Sequence, residues 1–155
     1  MADCFIQFDQ ISGESEDAEF KGAIMVVGWR WGVNWHAEHG MSGKNIGKGD
    51  VRHFSFTHLI DTASPALMAR CVLGKEVPSA TLSMRRAGGT AQLYAKIQFD
   101  RVRLVNVDIE LTQQRELPEE VVTFSFQQVR YEYAAQAAQG GGKGGWVPFS
   151  WNASL

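Results

Sequence analysis

Alternate positions carry the apolar side chains through most of this chain, the spacing that sets one face of a β-strand against the other. Cys4, Ile6 and Phe8 form a short first strand. Met25, Val27, Trp29, Trp31, Val33 and Trp35 then share one parity, while Gly28, Arg30, Gly32 and Asn34 occupy the other. This run exceeds the ~5–6 residues of an average strand, and Gly28 and Gly32 are its natural bending points. Large aromatics on one parity are expected to fill a core. The alternative is that Trp29, Trp31 and Trp35 line a cavity for an apolar ligand.

Phe54 and Phe56 continue the alternation against His53, Ser55 and Thr57, and Ala80, Leu82 and Met84 against Thr81, Ser83 and Arg85. Ala87-Gly88-Gly89-Thr90 then offers the positive-φ residues of a hairpin turn. Beyond it Leu93, Ala95, Ile97 and Phe99 oppose Gln92, Tyr94, Lys96 and Gln98. Two later stretches slip phase, at Val102-Leu104 to Val105-Val107-Ile109 and at Val122-Phe124-Phe126 to Val129-Tyr131-Tyr133. A one-residue slip would turn a regular strand inside out, so each marks a bulge, a bend or a passage between sheets. These features predict a closed or strongly curved, mainly β body.

A single stretch reads as helix, from Pro65 to Leu73. Ser64 is placed to cap it, Pro65 suits its first turn and Gly74 its end. Leu67 with Cys71, and Met68 with Val72, form four-residue apolar pairs, and so short a helix needs the sheet to pack on. Residues 36–50 show no periodicity and read as a long Gly- and Lys-bearing loop, a length uncommon unless functional or mobile. Gly140 to Gly145 reads as a hinge before Trp146, Phe149 and Trp151, whose aromatic rings predict that the tail docks back as a strand.

The chain has 155 residues, 45% hydrophobic and 21% charged, with a formal net charge of -2. These values suit one globular domain spanning 1–155, give no electrostatic reason to expect nucleic acid, and do little to oppose self-association. No uninterrupted apolar run approaches the roughly 20 residues of a membrane span, and the start carries no Sec-type signal pattern. Cys4 and Cys71 form no metal or redox spacing and read as reduced thiols. Gly43-Lys44-Asn45-Ile46-Gly47-Lys48-Gly49 has the wrong spacing for a phosphate loop. His36 and His39 have the wrong spacing for a zinc-protease helix, and Gly40-Met41-Ser42-Gly43 lacks the second spacer of a nucleophile elbow. Asp50, Asp61, His53 and His58 lie near one another in sequence with no nucleophile marked beside them. No catalytic residue, metal site or cofactor is expected.

The ordered series Gly28-Trp29-Arg30-Trp31-Gly32, Phe54-Ser55-Phe56-Thr57-His58-Leu59-Ile60-Asp61, Ser64-Pro65-Ala66-Leu67-Met68, Cys71 and Gly74-Lys75 resembles the haemolysin-coregulated protein (Hcp) family. Pro78-Ser79-Ala80, Arg85-Arg86-Ala87-Gly88-Gly89, Phe124-Ser125-Phe126-Gln127-Gln128-Val129 and Trp151-Asn152 extend the match over nearly the whole chain. The resemblance implies a two-sheet antiparallel β-barrel with one short flanking helix, and a single tube domain. It implies homohexameric rings that stack into the inner tube of a type VI secretion system, with effectors carried in the lumen. Its partners would be a spike protein, a contractile sheath and those effectors, and the tube would leave the bacterial cytoplasm without a Sec signal peptide. By resemblance, residues 36–50 form the loop that reaches a neighbouring subunit or ring, with His39, Ser42, Lys44, Asn45 and Lys48 as its contact residues. Gln92, Lys96 and Gln98 are expected to face the lumen. The rival expectations are a monomeric ligand-binding barrel and a phage-tail tube protein.

Overall fold

The computed structural model describes residues 3–39, 45–86, 92–136 and 143–153. Strand β1 (Asp3–Phe8) leads one sheet, with β2 (Ile24–Met25) as its outer neighbour. Two further strands follow in the chain, β3 (Gly28–Arg30) and β4 (Val33–His39), then β5 (Asn45–Val51) and β6 (Phe54–Leu59). After helix α1 (Ser64–Leu73) come β7 (Glu76–Arg85), β8 (Leu93–Glu110), β9 (Glu119–Ser125), β10 (Gln128–Gln136) and β11 (Lys143–Asn152). All pairings are antiparallel, and the main hydrogen-bonded path runs β2-β1-β7-β8-β9-β6-β3.

The 18-residue β8 changes neighbours along its length within one nine-stranded sheet. Beyond β7, its first half pairs β10, with Ile97 opposite Tyr131 and Phe99 opposite Val129, and β10 pairs β11. Its second half pairs β9, with Leu104 opposite Phe124 and Val107 opposite Val122. The change of partner falls at Asp100, whose carbonyl accepts from the Gln127 N–H at 3.0 Å, and at Arg101, which adopts φ 55°. Left-handed backbone is uncommon for a residue bearing Cβ. Here the Arg101 guanidinium is anchored, its Nε donating to Glu76 Oε1 at 2.9 Å.

Both predicted phase slips have a structural cause. Between Leu104 and Asn106 the ladder to β9 shifts register, a bulge that turns Val105 outward at 49% exposure. The slip after Phe126 is the chain leaving β9 and entering β10, which pairs the other half of β8. The hairpin of β7 and β8 forms as the alternation predicts, with Leu82 opposite Ile97. The expected turn residues 87–90 lie outside the described residues. The tail returns as β11, and the Trp151 ring meets Phe126 edge-on at 6.2 Å.

The core between the sheets is aromatic. Phe54, Phe99, Phe124 and Phe126 pack at centroid distances of 4.8–5.2 Å for the Phe54–Phe99, Phe54–Phe124, Phe99–Phe124 and Phe99–Phe126 pairs. Such pairs contribute about 0.5–1.5 kcal/mol each beyond area burial. Helix α1 closes one side with Leu67 at 0% exposure, while Met68, Val72 and Leu73 face solvent, so only one of the two predicted apolar pairs is turned inward. Ser64 is the first helical residue rather than the cap. Ala63 takes that place, and the Ser64 hydroxyl accepts from the Asp61 N–H at 3.0 Å instead. Gly74 ends the helix in the left-handed region at φ 62°, as its position predicts.

The long strand expected over Met25 to Trp35 is broken into β2, β3 and β4. At its bend the Val26 N–H donates to Cys4 O and the Val27 N–H to Thr57 O, at 2.9 and 2.8 Å. One segment thus serves both ends of the path, although β2 and β3 do not pair with each other and the ladder is not closed by pairing. The bend also reverses which parity faces inward. Met25 opposes Phe5 and is 62% exposed, whereas Trp29 opposes Phe56 and stacks on Phe54 at 5.7 Å. Trp31 is half-buried against Phe99 and Phe126. The expectation that this apolar wall is core holds for Trp31 and in part for Trp29. It fails for Met25 and Val27, which the bend turns outward, and for Val33 and Trp35, where the chain leaves the main sheet for β4.

Candidate functional site

Residues 36–50, read from sequence as an aperiodic loop, are largely the β-ribbon β4–β5, a separate two-stranded sheet with Trp35 opposite Gly49 and His36 opposite Lys48. Alternation is missing because exposed ribbon faces impose no apolar period. Trp35 is 68% exposed and Val33 54%. His36 Nε2 lies 3.9 Å from Asp50 Oδ2, both side chains open to solvent, a contact of little energetic weight. Of the predicted contact residues, His39 and Asn45 pair at the far end of the ribbon and Lys48 sits along β5, while Ser42 and Lys44 lie outside the described residues. A lone two-stranded ribbon is marginal in water.

Of the predicted lumen residues, Lys96 and Gln98 lie on the outward face of β8 beside β7 and β10. Lys96 stands between Ser83 and Glu132, and Gln98 between Thr81 and Arg130. Gln92 precedes β8, its carbonyl accepting from the Arg86 N–H at 3.1 Å. Next to this face the chain after β1 is clasped by Arg85, a contact not foreseen from sequence. Its guanidinium forks onto Asp17 at 2.8 and 3.0 Å, reaches Asp3 at 2.9 Å and Glu19 at 3.3 Å, and lies over the rings of Phe5 and Phe20. The Arg85 hydrogen bonds hold the Asp17 carboxyl below its ordinary range, and the bond from Asp17 is the main reason the Arg85 guanidinium is held more firmly charged. The acidic run Glu14, Glu16, Asp17 and Glu19 was the available sequence signal.

His58 and Glu120 form the other unforeseen group. Directly opposite each other on β6 and β9, both fully buried, they meet through Nε2 and Oε1 at 2.8 Å. Asp61 Oδ1 lies 3.9 Å from His58 Nδ1 and accepts from the Ala63 N–H at the helix start. The sequence neighbours His53 and Asp50 do not join this group. With both side chains closed to solvent, the pair reads as an internal fastening between β6 and β9. Among the described residues no His, Cys, Asp and Glu side chains cluster as a metal site, and no helix is long and apolar enough to cross a membrane. Trp29 does border a cavity, with Cys4, Val27, Met84 and Tyr94, but at about 230 Å³ it is smaller than sites that enclose drug-sized ligands. Burial pushes the Cys4 thiol up to about 12.

The arrangement contains a paired-sheet body, an exposed ribbon and apolar side chains open to solvent, and it matches known proteins throughout. The family model described as "Type VI secretion system effector, Hcp" matches residues 5–133. This chain belongs to the Hcp family. Protein hcp1 of Pseudomonas aeruginosa is 36% identical over 152 residues, covering 97% of this chain and 94% of that protein. The crystal structure of Hcp1 from Salmonella typhimurium superposes with a TM-score of 0.79 at 32% identity, covering 99% of this chain and 95% of the other. A type VI secretion system effector from Yersinia pestis does so with a TM-score of 0.78 at 31% identity, covering 97% and 99%. The mainly β, antiparallel fold with one flanking helix is therefore the Hcp fold. This supports the sequence resemblance over nearly the full length.

Proposed function

We propose that this Hcp-family chain, residues 1–155 acting as one domain, is a non-enzymatic subunit of the secreted inner tube of a type VI secretion system. Identical subunits join head-to-tail into hexameric rings, the rings stack, and effectors travel in the lumen beneath a spike and inside a contractile sheath. The subunit is made in the cytoplasm and secreted as part of the tube. The observation that carries the reading is the ribbon β4–β5 with Trp35 at 68% exposure, on a chain whose family match spans the fold. A ribbon of this kind gains stability when a second surface covers it. Head-to-tail contact between unlike patches closes into a ring at a fixed rotation, or else runs on as a filament.

Size-exclusion chromatography with light scattering tests the ring, and electron microscopy tests the stacks. The expected species is a hexamer at micromolar concentration; a monomer over the whole accessible range overturns the reading. Deleting residues 42–49 should reduce stacking more than ring closure, and unchanged stacks would remove the ribbon from that role.

A further inference from the structure

On the outward face of β1, β7 and β8 a cavity of about 270 Å³ opens between the clasped chain and the sheet. Its apolar walls are Phe5, Phe20 and Leu93, and its polar rim is Ser83, Glu19 and Lys96. Glu19 on the same cavity rim and Glu132 on the neighbouring strand are both engaged. Glu19 is bound by Arg85 at 3.3 Å, and Glu132, opposite Lys96 on β10, is bound by Arg130. Lys96 has no ion-pair partner among the described residues. A free ammonium beside an aromatic floor is complementary to one kind of group, an apolar side chain that carries a carboxylate close by. The volume suits a single such residue and excludes larger ligands.

We propose that this cavity binds the apolar carboxyl-terminal residue of a polypeptide, the side chain on Phe20 and Leu93 and the terminal carboxylate on Lys96. The ammonium donates to the carboxylate, the Ser83 hydroxyl offers a second donor, and the stacked Phe5 and Phe20 rings, 4.8 Å apart, give the side chain a fixed wall. Arg85 shapes the site from behind by holding Phe20 and Glu19 in place. Use of the cavity as a hold on cargo rests on the tube reading, whereas binding itself does not.

The test titrates the full-length protein with N-acetyl-L-tryptophan and, separately, with N-acetyl-L-tryptophanamide, which differ in the carboxylate. Saturation-transfer-difference NMR reads binding in assemblies of any size. The acid is expected to bind about fivefold more tightly than the amide, the scale of one partly exposed charge pair. Lys96→Gln should bring that ratio to about one, and Lys75→Gln, remote from the cavity, should leave it unchanged. Leu93→Ala should weaken both probes together. Equal binding of acid and amide, a ratio unmoved by Lys96→Gln, or no binding of either probe at ~10 mM overturns the proposal. Light scattering on the same samples keeps the two readings apart. Rings without binding sink the cavity alone, and binding by a monomer sinks the ring alone.

Discussion

Replacing Glu120 by leucine leaves the His58 ring facing an apolar side chain in a place closed to bulk solvent. Both side chains are 0% exposed, and their one shared contact is the 2.8 Å bond. Each already has an unsatisfied atom, His58 Nδ1 and Glu120 Oε2, so neither has a spare bond to fall back on. Removing one partner of a buried pair costs about 3–5 kcal/mol, and Glu120→Leu or His58→Leu alone should fall in that range. The double replacement meets a different environment. Phe56, 5.6 Å from His58 by ring centroid, lies beside it, and Asp61 keeps its bond from Ala63. Two leucines there should recover most of the loss and return the protein to within about 2 kcal/mol of the parent, since apolar replacements of buried pairs are often neutral or better. The assay is urea unfolding of parent, both single variants and the double at one fixed protein concentration, because assembly shifts apparent stability. A coupling near zero, with the double as weak as the sum of the singles, would refute the claim that the pair acts as one unit.

The Arg85 clasp gives a pH prediction. The folded Asp17 carboxyl is held below its ordinary value, so its contribution is present above the unfolded value of about 3.9 and is lost as pH falls through the folded value. Acid unfolding curves of the parent should therefore steepen below about pH 4 relative to Asp17→Asn, and superimposable curves would argue against the clasp. With its thiol pushed up to about 12, Cys4 should label slowly with iodoacetamide at pH 8 in the folded protein and rapidly in urea, as peptide mass mapping would reveal. Trp35→Ser should leave the unfolding free energy of the subunit within about 0.5 kcal/mol of the parent yet lower self-association measured by light scattering. An unchanged assembly would show that Trp35 is not a contact.

Strands whose one face is buried announced themselves in the sequence. Phe54 and Phe56, Ala80 to Met84, and Ala95 to Phe99 alternate because every second side chain enters the core. The ribbon was illegible for the converse reason. Val33 and Trp35 keep the parity of the preceding wall although this chain leaves both exposed, and residues 36–50 carry no apolar period to mark β5. The wall from Met25 to Trp35 misled because a bend at Val26 and Val27 exchanges the two faces while the parity in the sequence runs on. Glu120 was missed as the partner of His58 because 62 positions separate them, and only the pairing of β6 with β9 brings them together. The helix was legible from Pro65 and Gly74, but its cap depends on Asp61 and Ser64 trading bonds at the corner.

Strand β8 deserves a mechanical reading. Because residues 93–110 run unbroken past three neighbours, the β10 side cannot slide against the β9 side without shearing bonds in the ladders to β7, β9 and β10. In the proposed tube, a subunit sewn along such a spine would pass an axial push from one face to the other as a rigid piece.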